Sequence, residues 1–307
     1  MIASQMRAND AAPREFDYGE LTSRNLGFVD ERQQRVLREA RVFVCGVGGM
    51  GGACVQSLVR AGIGHLGIAD FDRFELSNLN RQVFSDLDAV GREKIAVTAE
   101  RVLRINPTLE LETWGRDWTD ELETILGAYP LVVNAMDDVR ASILLYREAG
   151  ARGATVIDAY TSPLPSVTVV KPEDPRPEER LGFPTAGKAW HTITDAMIVE
   201  CLHAELAFVL AHTSSIRHVL VDRALEIAAG RAPRMSFAPM VEVAGSLMSY
   251  EVICEVLDAH RATDCRGYFF NPYDNRVERP ARGLFGKLRE QLARRRLARI
   301  LDGAQSS

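Results

Sequence analysis

A glycine turn lies between a short apolar strand pattern and a helical pattern in the first third of the chain. The segment Gly46-Val-Gly48-Gly49-Met-Gly51 has the spacing Gly-x-Gly-x-x-Gly and follows the β-branched run from Arg41 to Cys45. Glycines at these positions let backbone N–H groups approach a phosphate at the N-terminus of the next helix. The turn predicts a nucleotide site, but it does not distinguish a dinucleotide cofactor from ATP.

Acidic, amide and basic side chains follow the next predicted strand. Asp70 ends that strand 19 residues after Gly51, where a carboxylate can accept hydrogen bonds from ribose hydroxyls. A triphosphate also needs cations and neutral donors. The segment after Asp70 supplies charged and amide groups at Asp72, Asn78, Arg81, Gln82 and Lys94. These residue types favour ATP over a nicotinamide cofactor, because hydride transfer needs little positive charge beyond the pyrophosphate turn.

A further carboxylate, Asp137, follows the predicted strand from Leu131 to Ala135. At that strand end it is placed to hold Mg²⁺ between phosphates. The alternative is that Asp137 and Asp138 are a plain N-cap for the next helix.

Strand and helix patterns alternate through the first half of the chain. They predict an α/β fold, with a doubly wound, mainly parallel Rossmann-like sheet, helices on both faces and a helical insertion. Predicted strands cover residues 41–45, 66–70, 109–113, 131–135 and 154–158, and predicted helices cover 92–105 and 139–149. Beyond Thr161, the patterns predict a proline-rich excursion, helices at 194–210, 216–229 and 242–259, a hairpin at 267–278 and a helix at 283–301.

These patterns divide the chain into four segments. They are an N-terminal arm and helix (1–40), a nucleotide-binding core (41–160), an insertion that completes the sheet (161–281) and a basic amphipathic helix (282–307). The basic helix has three interpretations: a helix that covers the core, a docking element, or a membrane-surface anchor.

Composition excludes several classes of protein. The 307 residues carry 37 basic and 42 acidic side chains, a net charge of −5, which argues against nucleic acid as the main partner. No apolar run approaches the roughly 20 residues that span a bilayer, and the segment from Met1 to Glu15 is polar. The five scattered cysteines form no Cys-x-x-Cys pair, which predicts a reduced, cytoplasmic protein without a zinc site built from such pairs.

These motifs resemble, in order and spacing, the ThiF/MoeB/HesA family of adenylyltransferases, which is related to ubiquitin-activating enzymes. The resemblance is dense from about Val42 to Asp138. It resumes at Phe237-Ala-Pro-Met240 and at Gly245-Ser-Leu-Met248. It implies binding of Mg-ATP, attack of a substrate carboxylate on the α-phosphate, release of pyrophosphate and formation of an acyl-adenylate.

The resemblance also implies roles for individual residues. The four glycines would line the nucleotide, Asp70 would bind the ribose, and Asp137 would bind Mg²⁺. The triphosphate would be bound by Asn78, Arg81 and Lys94. Family members are typically homodimers in which an N-terminal arginine reaches the partner's ATP site, and Arg24 is the matching residue here.

The chain departs from the family pattern at its cysteines. Many relatives carry two zinc-binding cysteine pairs and a cysteine shortly before the Ala-Pro segment, and this chain has neither. Cys201 is the nearest thiol, but it lies on the apolar side of a predicted helix. The substrate is left open among a ubiquitin-like protein C-terminus, a carrier-like protein, a peptide and a small acid. The alternative functions are a nicotinamide-dependent oxidoreductase and a non-catalytic scaffold.

Overall fold

The structure is a computed structural model that describes residues 15–228, 231–259 and 263–305. The predicted polar segment at 1–15 therefore lies largely outside the described residues, and Gly230, where a helix break is predicted, lies wholly outside them. The described part contains these α-helices: α1 (Tyr18–Thr22), α2 (Glu31–Glu39), α3 (Gly49–Ala61), α4 (Lys94–Ile105), α5 (Leu122–Ala128), α6 (Val139–Arg152), α7 (Pro177–Arg180), α8 (Asp195–His212), α9 (Val221–Ala228), α10 (Ala238–Val256) and α11 (Gly283–Gln305). It contains these strands: β1 (Arg41–Cys45), β2 (His65–Ala69), β3 (Glu110–Trp114), β4 (Leu131–Asn134), β5 (Thr155–Asp158), β6 (Ser166–Val170), β7 (Tyr268–Asn271) and β8 (Arg276–Glu278).

The strands form one eight-stranded sheet in the order β3-β2-β1-β4-β5-β6-β7-β8. The first five strands in this order are parallel, and the remaining three pair antiparallel. Strand order reverses between β1 and β4, which is the switch point where doubly wound sheets bind ligands. The predicted α/β class and mainly parallel sheet are confirmed.

Alternating side chains of the central strand pack into two separate cores. Val42 and Val44 join the core beneath α3 and α10, which includes Leu58 and Val252. Phe43 and Cys45 join the core beneath α5 and α6 on the opposite face. Both faces of the sheet are thus covered, as near-continuous apolar strands require.

Two helices in the second half begin four or five residues away from their predicted first residue. The helix predicted at 216–229 is a 3-10 turn, Ser215–His218, followed by α9. The helix predicted at 242–259 begins four residues earlier, at Ala238. Pro239 lies in its first turn, a position where proline loses no hydrogen bond and its fixed φ suits the helix.

The C-terminal helix α11 contacts α8 and α9. Leu297 is buried there, whereas Leu284, Phe285 and Leu288 are exposed. The predicted apolar stripe therefore covers the core over only part of its length. None of the described helices is long and apolar enough to span a membrane. The segment boundaries at 40, 160 and 281 stay a prediction.

Candidate active site

A cleft of about 770 Å³ lies at the carboxyl ends of the parallel strands. We call two groups of its residues the glycine-side lining and the second-half lining. The glycine-side lining comprises Gly46, Gly48, Gly49, Met50, Asp70, Asp72, Asn78, Arg81, Gln82, Lys94 and Asp137. The second-half lining comprises residues 159–166, 218–220 and 234–237, together with Met240, Val241, Ala244 and Tyr273.

The glycine turn requires glycine at two positions. Gly46 has a φ of +85°, and a Cβ there would lie 2.7 Å from the Ala135 carbonyl oxygen. A Cβ at Gly51 would lie 1.8 Å from the Gly46 carbonyl oxygen. Gly51 is buried in the first turn of α3 and is not part of the cleft lining. It therefore shapes the turn by close backbone packing, whereas Gly46, Gly48 and Gly49 face the cleft.

Asp70 follows β2 and is tied to the glycine turn. Its Oδ2 accepts a hydrogen bond from the Val47 amide at 2.9 Å, and its Oδ1 accepts one from the Asp72 amide at 2.9 Å. Burial raises the pKa of the Asp70 carboxyl, and these two hydrogen bonds act against that rise. Each oxygen retains a lone pair, so Asp70 is fixed in place as an acceptor at the cleft.

Lys94 begins α4 and carries a buried positive charge into the cleft. It is only 7% exposed, and its Nζ forms an ion pair with Asp72 Oδ2 at 3.0 Å. The Lys94 amide also donates to the Asp72 carbonyl oxygen at 2.9 Å. Asp72 itself is exposed. The ammonium therefore has one carboxylate partner and retains donors for an anion in the cleft.

Arg81, Asn78 and Gln82 lie on the turn that connects β2 to α4. Arg81 Nη1 donates to the Ser77 carbonyl oxygen at 2.9 Å, which holds the guanidinium against its own turn. Asn78 Oδ1 accepts from the Glu75 amide at 3.1 Å and closes that turn. Gln82 is buried, and its Oε1 has no hydrogen-bond partner among the described residues.

The two neighbouring aspartates after β4 have different environments. Asp138 is the N-cap of α6, since its Oδ1 accepts from the Ala141 amide at 3.1 Å. Asp137 is exposed and lines the cleft. The N-cap alternative therefore applies to Asp138, whereas the Asp137 carboxylate has no hydrogen-bond or ion-pair partner among the residues that the structure describes.

Arg24 does not line the cleft of its own chain. It lies in the 3-10 turn Ser23–Asn25 and is exposed. Asn25 anchors this turn, because its Nδ2 donates to Gln34 Oε1 at 3.0 Å and to the Ala61 carbonyl oxygen at 3.1 Å. The in-trans role of Arg24 stays a prediction.

Sequence reasoning missed the polar groups of the second half. Asp158 Oδ2 accepts from Asn134 Nδ2 at 2.9 Å and from the Tyr146 hydroxyl at 2.8 Å. Burial raises the pKa of Asp158 to about 7. Arg180 and Glu205 lie near it. Asp158 could have been found by its place at the end of a strand, as Asp70 and Asp137 were. Nothing in the local sequence marks Arg180 or Glu205.

Within the described part of the chain, the five cysteines and every histidine except His218 lie outside the lining of the cleft. All five cysteines are buried as free thiols. Burial raises the pKa of Cys201, whose Sγ contacts Thr185 Oγ1 at 3.8 Å. Neither His191 nor His203 lines the cleft, whereas His218 does and stacks on Tyr273 with ring centroids 4.3 Å apart. A raised pKa disfavours the thiolate, so Cys201 has the environment of a structural thiol.

The fold and the cleft define a nucleotide-binding protein of the doubly wound type. Residues 22–283 match the model of the ThiF family. The chain therefore belongs to the ThiF family, as its motifs indicated.

Two curated relatives resemble part of the chain. One is the sulfur carrier protein adenylyltransferase of Thermus thermophilus, which is 39% identical over 129 residues, covering 41% of this chain and 47% of the relative. The other is the molybdopterin-synthase adenylyltransferase of Escherichia coli, which is 36% identical over 107 residues, covering 34% of this chain and 43% of the relative. The chain thus spans about half the length of the curated relatives it matches.

A solved structure resembles the fold over a longer stretch. It is E. coli tRNA N6-threonylcarbamoyladenosine dehydratase, TcdA, in complex with AMP, with a TM-score of 0.57 and 18% identity. The similarity covers 78% of this chain and 95% of that chain. At this identity the likeness shows the fold alone.

Proposed function

We propose that this protein is an ATP-dependent adenylyltransferase that activates a carboxylate as an acyl-adenylate. The observation that carries the proposal is the glycine-side lining, where Lys94, Arg81 and Asp137 lie around the glycine turn in one cleft. Membership of the ThiF family and two relatives named as adenylyltransferases support it. The cations disfavour a nicotinamide-dependent oxidoreductase, which has no triphosphate to neutralise.

The proposed reaction is a single displacement at the α-phosphorus of ATP. A carboxylate oxygen of the substrate forms a bond to that phosphorus, and the bond to the bridging oxygen of the β-phosphate breaks. Pyrophosphate carries away the electron pair. A carboxylic acid is already ionised near neutral pH, so no general base is needed.

The chain's own residues would stabilise the charge that develops. Backbone amides of the glycine turn and the N-terminus of α3 favour the phosphate oxygens. Lys94 supplies a point charge and Arg81 a planar fork of donors, while Asp70 accepts from the ribose. Preorganised groups of this kind are worth several kcal/mol when they face charge formed only in the transition state.

The carboxylate oxygens in the cleft are also suitable ligands for Mg²⁺. Asp137 presents a free carboxylate in the cleft, Asp72 is a second carboxylate there, and hard oxygen donors are the ligands that Mg²⁺ prefers. When bound, Mg²⁺ would neutralise charge on the phosphates. Asp137 is the residue we assign to hold it.

The proposal extends to assembly, location and acceptor. We place the enzyme in a homodimer, with Arg24 of one subunit acting at the ATP site of the other. The five free, buried thiols favour a reducing compartment, so we propose a cytoplasmic enzyme. The substrate classes are a ubiquitin-like or carrier-like protein, a peptide and a small acid.

ATP–pyrophosphate exchange tests the proposal. Radiolabelled pyrophosphate should enter ATP only when a suitable carboxylate is present, and the panel should include ubiquitin-like proteins, short peptides and small acids. Tight ATP binding without exchange for any carboxylate would favour a non-catalytic scaffold.

A mixing experiment tests the dimer. Subunits carrying Arg24→Ala and subunits carrying Lys94→Ala should each be inactive alone. A mixed dimer should regain part of the exchange activity, because one of its sites has both residues. Absence of rescue in verified mixed dimers would contradict action in trans.

A further inference from the structure

A second, smaller cavity of about 60 Å³ adjoins the cleft. The two share Met136, Asp137, Ala159, Tyr160 and Thr161 as lining residues. A single water needs about 10–15 Å³ of such volume, so this cavity can hold a small organic group. We call it the Arg180 pocket, defined by Tyr146, Asp158, Tyr160, Arg180 and Glu205.

The carboxylates of the Arg180 pocket already have donors. Asp158 accepts from Asn134, from Tyr146 and from the Ala159 amide, the last at 2.6 Å. Glu205 Oε1 accepts from the Thr161 amide at 2.6 Å. Neither carboxylate lies within ion-pair distance of Arg180 among the described residues.

Arg180 is the group with an unmet requirement. Its Nη1 donates to the Tyr160 hydroxyl, and its guanidinium lies 5.5 Å from the Tyr160 ring centroid and 5.8 Å from that of Phe208. Its Nε is buried and has no acceptor. A buried donor without an acceptor is costly, so Arg180, which lines the pocket, lacks an oxygen acceptor for its Nε.

We propose that the Arg180 pocket binds a second polar group of the activated acid, one that ends in a planar carbonyl or carboxylate oxygen. This assignment rests on the proposed function. It names the substrate as a bifunctional acid, for example a peptide whose last residue has a carboxamide or carboxylate side chain. A terminus without a side chain would leave Arg180 Nε without an acceptor.

The two possible end groups differ in charge. A carboxamide presents its oxygen to Arg180 and its N–H groups to Asp158 or Glu205. A carboxylate adds a negative charge beside two carboxyl groups whose pKa values burial has raised. Binding of a carboxylate should therefore weaken as pH rises through about 7, where Asp158 ionises. The other titratable groups that line this pocket are Asp137, Tyr146, Tyr160, Glu178, Arg180 and Glu205.

Equilibrium binding tests the pocket without turnover. The probes are tetrapeptides that differ only in the last residue (Ala, Asn, Asp, Gln or Glu), titrated calorimetrically into the enzyme saturated with α,β-methylene-ATP. A hydrogen bond to a charged group predicts about 10- to 100-fold tighter binding of a polar-ended peptide than of the alanine-ended one. Repeating the titrations at pH 6 and pH 8 separates the carboxylate from the carboxamide.

Variants identify the residue responsible. Arg180→Ala should remove most of the preference for polar ends, and Arg180→Lys, which keeps the charge and is less disruptive to the fold, should reduce it. Arg176→Ala is the matched control, because Arg176 lies outside both cavities and pairs with Glu179 at 3.0 Å. The Arg176→Ala variant should keep the preference for polar-ended peptides.

The two proposals fail in different ways. Equal affinities for all five peptides, or a preference that survives both Arg180 variants, would overturn the pocket assignment even if ATP–pyrophosphate exchange is robust. A preference without exchange for any acid would support the pocket and contradict the adenylyltransferase.

Discussion

The glycine-side lining and the second-half lining of the cleft differ in how their residues are spread along the chain. Most of the glycine-side lining comes from residues 46–94, within two successive strand–helix units, with Asp137 after β4. The second-half lining and the Arg180 pocket draw on residues from Asn134 to Tyr273. The first is therefore set by local turns, whereas the second depends on tertiary packing between distant elements.

The two regions also differ in their electrostatics. The glycine side carries a buried ammonium with one carboxylate partner at 3.0 Å. The Arg180 pocket carries carboxyl groups whose pKa values are raised by burial, together with a guanidinium that has an unpaired nitrogen. One region suits a highly charged phosphate chain. The other suits a smaller group that ends in a carbonyl or carboxylate oxygen.

The largest expected effect lies on the glycine side. Lys94→Met should lower kcat/KM for ATP–pyrophosphate exchange by about 10³-fold, equivalent to about 4 kcal/mol of transition-state stabilisation. Loss of the ammonium would remove the charge that we propose faces the phosphates, while exposed Asp72 remains solvated. The panel acid with the highest exchange serves as substrate.

A second lysine provides the control. Lys171→Met changes a half-buried residue outside both cavities and should leave exchange within a factor of two. If Lys94→Met also stays within threefold of the wild type, the assignment of Lys94 to the triphosphate is wrong.

The next effect concerns the backbone of the glycine turn. Gly51→Ala should lower the free energy of unfolding by about 3 kcal/mol, because the new Cβ would lie 1.8 Å from the Gly46 carbonyl oxygen. Gly127→Ala, in helix α5 with open space around its Cβ, should instead stabilise by about 0.5–1 kcal/mol. Urea unfolding measures both. An unfolding midpoint for Gly51→Ala equal to that of the wild type would contradict the close packing.

The Arg180 pocket predicts a pH-dependent stability. The pKa of Asp158 rises from 3.8 to about 7 in the folded protein, so folding favours the protonated carboxyl. Its contribution to stability is complete below pH 3.8 and is lost as pH rises towards 7. Between pH 5 and pH 8, the free energy of unfolding of the wild type should fall by about 2 kcal/mol relative to that of Asp158→Asn.

Urea unfolding at several pH values checks this prediction. Asparagine changes the hydrogen bonds with Tyr146 and Asn134, which shifts the stability of the variant at every pH. The informative quantity is therefore the slope of the difference with pH. A difference that is independent of pH would show that Asp158 ionises normally.

The smallest effect separates two adjacent carboxylates. Asp137→Asn should raise the Mg²⁺ concentration needed for half-maximal exchange by about tenfold, since a neutral amide is a weaker ligand for a hard cation. Asp138→Asn should leave it unchanged, because asparagine is as good an N-cap as aspartate. An equal shift in both variants would assign the effect to helix α6 and not to the metal.

The sequence predicted that the glycine-side residues lie together, because their signals are local, and their roles stay a prediction. Gly46 at the end of a strand, Asp70 at the end of the next and Lys94 at the start of a helix each occupy a position whose chemistry follows from its neighbours in the chain. All three line the cleft. Gly51 shows the limit of the motif, since its spacing fits the fingerprint but its role is backbone packing.

The second-half lining and the Arg180 pocket could not be predicted, because they depend on contacts between residues that are distant in sequence. Tyr160 stacks on Phe208 and Phe269, and Arg180 comes from a four-residue helix within a proline-rich excursion. The early start of α10 at Ala238 was missed because Pro239 resembles a helix breaker unless its place in the first turn is known.

Transfer of an isotope from the substrate to AMP tests the central claim most directly. The panel acid with the highest exchange is labelled with ¹⁸O in its carboxylate, incubated with enzyme and ATP, and the acyl-adenylate is cleaved with hydroxylamine. The account predicts AMP that carries one ¹⁸O in its phosphate, together with pyrophosphate. Formation of ADP, or of AMP without the label, would contradict it.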